Sequence, residues 1–211
     1  MDNPDPSAHP NASTSRALGN IALAGLLVFS IVAVAVQVLR SDLDWMDAPL
    51  SFYLLDAYGH WLQAAYIVLA SALAALGAGY YLALRDGRRS AAPWLLFVCA
   101  GVGLCATALA HSNLPGRAPT LEGFVHGIAA QTAFLCVSVA MLLQSWWLRA
   151  NPRWRSRFAP AFALALACFA GIWVDALWHG MPRGLEQRLV IALILAWLLL
   201  AANWLRRQRA A

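Results

Sequence analysis

Four of the five histidines in this 211-residue chain, His60, His111, His126 and His179, stand at the edges of long uncharged runs. Three of them follow an acid by four residues: Asp56 precedes His60, Glu122 precedes His126, and Asp175 precedes His179. Along a continuous helix a four-residue step turns by about 400°, so each acid and its imidazole are predicted to share one face, a turn apart. A carboxylate so placed can orient an imidazole as a base, hold its tautomer behind a metal, or join it as a ligand. The competing reading is a capping or solvated role at a membrane surface, where ionisable groups are tolerated. The sequence has no H-E-x-x-H, no C-x-x-C, no G-x-S-x-G elbow and no phosphate-cradling glycine loop.

Two further charges need partners. Asp175 directly follows an uncharged run, about a turn below the end of the span that run predicts, where an unpaired acid is expensive. Arg188 opens the last apolar run, at a helix start whose dipole disfavours a cation. The two are predicted to hold each other, with Glu122 as the other candidate partner of Arg188. The rival role for Arg188 is to contact a ligand carboxylate or phosphate.

Positioning these groups falls to a chain that is 61% hydrophobic and 12% charged, against about half and a quarter in soluble domains. Lipid is the solvent that such a surface fits. All 15 basic residues are arginine, and against ten acids they give a net charge of +5. They punctuate apolar runs and form no basic patch with interleaved aromatics, which argues against nucleic acid as a partner.

The uncharged runs cover residues 17–39, 61–84, 90–110, 123–148, 158–174 and 189–205. At about 1.5 Å per residue each approaches the roughly 20 residues that cross a bilayer, the last two with help from their flanks. The predicted fold class is all-α: a polytopic transmembrane bundle of six helices with both termini on the same side. Pro93 and Pro160 fall in first turns, where a missing N–H is tolerated. The first run exceeds the length of a signal-peptide core and is read as a retained span. Residues 1–16 read as a disordered cytoplasmic tail, 17–206 as one six-helix transmembrane domain, and 207–211 as a basic cytoplasmic tail. Cys99, Cys105, Cys136 and Cys168 lie inside apolar runs and read as small hydrophobes.

Six crossings place 11 arginines and three acids on one side, and four arginines and seven acids on the other. The positive-inside rule assigns the arginine-rich side to the cytoplasm. The protein is therefore expected in the inner membrane, multi-pass, with both termini cytoplasmic and the histidines facing outward. Trp45, Trp61 and Trp178 would belong to the outer aromatic belt.

Three segments carry a family resemblance: Gly59-His60-Trp61-Leu62-Gln63-Ala64-Ala65, His126-Gly127-Ile128-Ala129-Ala130, and Gly184-Leu185-Glu186-Gln187-Arg188-Leu189 followed by Ala196-Trp197-Leu198. Together they resemble domain-of-unknown-function family 998, over about residues 17–206, with the G-x-x-Q-R-L opening of the last helix as the most specific piece. The resemblance implies a bacterial six-helix membrane protein, and it singles out Gln187, Arg188 and His126. The chain departs from the family pattern at Leu54–Gly59, where members often carry Ser-Glu-Leu-Gly, and at His111-Ser112-Asn113, where Phe-Pro-x-Asp is usual.

The expectation is an integral inner-membrane protein with an outward-facing pocket built from His60, Glu122, His126, Asp175, His179, Gln187 and Arg188. That pocket would bind a polar ligand, lipid headgroup or cation in a transport or accessory role. One alternative is a metal-dependent hydrolase at the outer leaflet, with three histidines holding zinc and a fourth position open to water. The other is a membrane scaffold without a ligand. Haem fits less well, because histidines at one membrane level do not resemble ligands stationed deep between helices.

Overall fold

A computed structural model shows six long helices: α1 His9–Leu39, α2 Gly59–Ala83, α3 Ala92–Leu109, α4 Leu121–Ala150, α5 Phe158–Leu177 and α6 Arg183–Arg206. It describes residues 9–84, 90–113, 116, 118–178 and 180–208, apart from the side chains of residues 9–11 and of Asp175. Among the described residues there is no β-strand, and all six helices are long and apolar enough to cross a membrane. The shortest, α3, has 18 residues and reaches about 27 Å, while α4 with 30 residues reaches about 45 Å, against a hydrocarbon core of about 30 Å.

Each helix forms around one uncharged run, and the ends depart from the predicted bounds for identifiable reasons. Helix α1 starts at His9, inside the segment expected to be a disordered tail. Ser15 is fully buried there and donates to Gly79 O of α2 at 2.6 Å, so this turn is held by packing that polarity alone does not reveal. Helix α4 begins at Leu121 because the Thr120 hydroxyl accepts from Gly123 N at 3.0 Å, an N-cap upstream of the apolar run. Helix α6 begins six residues before its uncharged run, taking in Arg183, Glu186 and Arg188. Charge-free length underestimates a span whose ends meet water and loops.

Each helix packs on the next, and α6 returns to pack on α1, so the six form a closed ring. Gly19 of α1 lies directly against the Arg206 backbone of α6, bringing the two chain ends together at one end of the bundle. This basic end is plugged. Tyr80, Met141, Leu148, Trp154 and Trp197 are all fully buried there. Tyr80 donates to Ala201 O at 2.9 Å and meets Trp154 edge-on at 5.0 Å, while Trp197 Nε1 donates to Ala161 O at 2.9 Å. Helices gain no hydrophobic drive from one another in lipid, so such packing and interhelical bonds, worth about 0.6 kcal/mol each on average, hold the ring.

The outer surface is apolar, as lipid requires. Ile21, Val28, Ile31, Val34 and Val38 form an exposed stripe along α1 at helical spacing. Trp45, Trp61 and Trp178 are exposed at the opposite end of the bundle. That end carries the loop between α1 and α2, the loop between α3 and α4, and the turn between α5 and α6.

Candidate functional site

The loop between α1 and α2 is built around Arg40. Its guanidinium makes two 2.8 Å bonds to the Asp42 carboxylate and a third, 2.7 Å, to Leu55 O. Side-chain bonding to Arg40 holds the Asp42 carboxyl below its usual range, and the same bonds raise Arg40 above its own. The loop closes through Asp56 and Tyr58, both left-handed, with φ of 57° and 66°. A Cβ on Gly59 would sit 2.2 Å from Leu54 O, so only glycine can start α2 so close to the preceding turn. Asp56 and His60 are therefore not on one helix, and the predicted carboxylate–imidazole pair does not form. His60 is exposed, its ring beside that of Trp61.

The second predicted pair is also rearranged. Glu122 lies in the first turn of α4, but its carboxylate takes both the backbone N–H and Nδ1 of His111, at 2.8 and 2.5 Å. Asn113 Oδ1 accepts from the backbone and hydroxyl of Thr120, so the loop folds back onto the α4 N-terminus. His126 points the other way, inward. It is 6% exposed, and its Nδ1 bonds Ala110 O at 2.8 Å. A carbonyl can only accept, so Nδ1 carries a proton, and in the neutral tautomer that this bond selects Nε2 is the acceptor.

The α6 N-terminus is stitched to the first loop. Leu185 N donates to Met46 O at 2.9 Å, Gln187 Oε1 accepts from Leu50 N at 2.7 Å, and Arg188 Nη1 donates to Ala48 O at 2.9 Å. Gly184 makes the approach feasible, since a Cβ there would lie 2.6 Å from Met46 O and 2.7 Å from Ala48 O. Arg188 Nε donates to Gln37 Oε1 of α1 at 2.5 Å, with the Tyr53 ring 5.6 Å and the Trp45 ring 6.0 Å from the guanidinium carbon. Among the described residues Arg188 has no carboxylate partner: Glu122, the alternative candidate, is spent on His111, and the side chain of Asp175, the first candidate, lies outside the described residues. A backbone carbonyl, a neutral amide and two aromatic faces are its described surroundings. The Asp175 side chain and His179, the third predicted pair, lie outside the described residues.

Beneath this lid the ring encloses a cavity of about 560 Å³. Its mouth is polar, with Asn113, His126, Gln131, Arg183 and Gln187. Its depths are apolar, with Phe29, Tyr66, Leu73, Val137, Ile194 and Leu198. Lining α6 residues run from Arg183 to Leu198, a rise of about 22 Å. Because Leu50 N occupies the Gln187 carbonyl, the Gln187 NH₂ remains as donor. Arg183 is exposed at the mouth and has no hydrogen-bond or ion-pair partner among the described residues. Among the described residues no aspartate or glutamate lines the cavity.

Of the predicted site residues, His126 and Gln187 line the cavity, while His60, Glu122 and Arg188 do not. Among the described residues no three histidine, cysteine, aspartate or glutamate side chains converge as metal ligands. The four cysteines are unpaired. Sequence reasoning missed Arg183 and Gln131. Gln131 sits inside an apolar run where a polar side chain is costly, which is the signal that could have found it. Arg183 was counted only as an outer charge.

The family model described as "Protein of unknown function (DUF998)" matches residues 23–204. No curated protein and no solved structure matches the chain.

Proposed function

The chain belongs to that family of unknown function, and from the cavity at its open end we propose that it binds a small polar ligand or lipid headgroup within the membrane. Its role in this reading is transport or an accessory step, and the site faces away from the cytoplasm. The observation that carries the reading is the cavity of about 560 Å³, whose volume is that of a small-molecule site. The arginine-rich end supports a cytoplasmic placement of both termini in an inner membrane.

The lining narrows the ligand class. Among the described residues the mouth offers a guanidinium, amide donors and one imidazole, and no carboxylate. The described lining supplies a positive charge and N–H donors, which suit an anionic or hydroxyl-bearing group. A zinc hydrolase needs three or more converging donors, and among the described residues His126 is the histidine that lines the cavity.

Thermal unfolding of the detergent-solubilised protein against a panel of soluble polar anions and short-chain lipids tests the reading. A true ligand at a hundredfold excess over its Kd should stabilise by about 2.7 kcal/mol. A Cβ at Gly127 meets nothing within 4 Å, so Gly127→Phe should fill the mouth without unfolding the bundle and abolish the shift. A panel without any shift, or a shift that survives Gly127→Phe, would leave the scaffold as the better reading.

A further inference from the structure

The cavity has a second space at its side. A neighbouring space of about 440 Å³ lies between α4, α5 and α6 and shares Gln131, Phe134, Arg183 and Gln187 with the central cavity. Its remaining walls include Leu135, Trp173 and Val190, and the first two are 40% and 48% exposed on the bundle's outer surface. Helix α5 explains the gap. Its described buried residues, Ala161, Ala165 and Cys168, all lie between Phe158 and Cys168, toward the basic end, and from Phe169 to Leu177 no described residue is buried. Beyond Cys168 a Cβ built on Gly171 would meet only Val190 Cγ2, at 3.4 Å, an ordinary van der Waals distance.

Gln131 is an independent sign. It stands ten residues beyond Leu121, the first residue of α4, about 15 Å along the helix. A helix of about 45 Å overhangs a core of about 30 Å by roughly 7 Å at each end, so Gln131 lies within the hydrocarbon. It is exposed and has no hydrogen-bond partner among the described residues. A bare amide at that depth is unfavourable unless it faces a polar pathway, and Gln131 faces both spaces.

We propose that the ligand is an anionic membrane lipid that enters from the outer leaflet between α4 and α6, its headgroup resting on Arg183, Gln131 and Gln187 and one chain filling the apolar depths. The dimensions agree with one chain. A volume of about 560 Å³ over about 22 Å of length leaves a mean cross-section of about 25 Å², a slot for a single extended chain. The three headgroup residues line both spaces, so a lipid moving from portal to cavity keeps its polar contacts throughout. This inference rests on the cavity being a binding site and adds the class of ligand and its route.

The test uses the full chain in phospholipid vesicles, with phosphatidic acid carrying a photoreactive group on its acyl chain and the matching phosphatidylcholine as control. Cross-linked peptides should map to the cavity around Phe134 and Ile194, about tenfold more from phosphatidic acid, as one charge-assisted hydrogen bond would produce. Ala176→Trp, and separately Leu135→Trp, should block the portal and remove these adducts, while adducts on the lipid-facing stripe at Ile31 and Val34 persist. Glycerol phosphate in excess should not compete. Equal labelling by both lipids overturns the anionic ligand, and labelling unchanged by both tryptophan variants overturns the sideways route. Absence of cavity adducts together with stabilisation by glycerol phosphate overturns the lipid but leaves the binding site standing. Absence of both removes the site as well.

Discussion

Gly184 and Gly127 are two helical glycines with opposite surroundings, and they separate a structural motif from a functional one at the level of single atoms. A methyl at 184 would press on two backbone carbonyls, at 2.6 and 2.7 Å, which cannot swing aside as a flexible side chain would. Gly184→Ala should therefore destabilise the protein by about 1–3 kcal/mol, read as a lowered midpoint of thermal unfolding in detergent. Gly127→Ala meets open space and should be neutral or gain up to about 1 kcal/mol from helix propensity. A second residue-scale outcome concerns acid. Asp42 is held below its usual carboxylate range chiefly by its bonds to Arg40. Its contribution is fully present above the ordinary aspartate value of about 3.9 and is lost as pH falls through the lowered folded value. Arg40, shifted upward, stays charged across that window. Asp42→Asn should flatten this part of the acid limb of a stability-against-pH curve, and added salt should shrink the difference because Asp42 is largely exposed.

At the scale of elements, the opening of α6 acts as a clasp. Three consecutive bonds tie Leu185, Gln187 and Arg188 to carbonyls or an amide of the loop from Met46 to Leu50, and Arg188 extends the tie to Gln37 of α1. Arg188→Leu strands the Ala48 carbonyl and the Gln37 amide together, at a cost of about 1–3 kcal/mol for each group left buried without a partner. Gln37→Leu alone should cost less, and the double variant should lose less than the sum of the two. Strict additivity in unfolding midpoints would mean that the Arg188–Gln37 bond carries no coupling. This clasp also marks how far the sequence was legible. All six spans follow from uncharged length, because the bilayer core imposes one length on every helix. The motif Gly184–Leu189 was visible, but its partners were not: they are backbone groups of a loop far away in sequence, and a carbonyl leaves no mark in residue types. The i, i+4 pairing rule failed at Asp56 for a local reason, the left-handed turn that ends only at Gly59. It failed at Glu122 for a tertiary one, the folding back of His111. The cavity emerged from the ring closure of α6 on α1, which no single helix encodes.

For the whole molecule, the decisive property is asymmetry along the membrane normal. One end is plugged by Tyr80, Trp154 and Trp197 with their hydrogen bonds to Ala201 and Ala161. The other opens through a mouth lined by His126, Arg183 and Gln187. A bundle plugged at one end and open at the other gives access from a single side, so the arrangement is that of a pocket rather than a pore. If the basic end is cytoplasmic, as its arginines imply, a polar reagent should reach the cavity only from outside. Gln131 lines the cavity and bonds to no described residue, so a thiol there perturbs little. In a background with Cys99, Cys105, Cys136 and Cys168 replaced by alanine, Gln131→Cys should react with a membrane-impermeant thiol reagent applied to spheroplasts and resist it in inverted vesicles. Equal reaction from both sides would show a continuous aqueous path through the Tyr80–Trp154 plug. Reaction only in inverted vesicles would reverse the orientation and carry the open end, with its mouth and side portal, to the cytoplasmic leaflet. Protection of Gln131→Cys by phosphatidic acid, but not by phosphatidylcholine, would place the competing headgroup at the level of the amide.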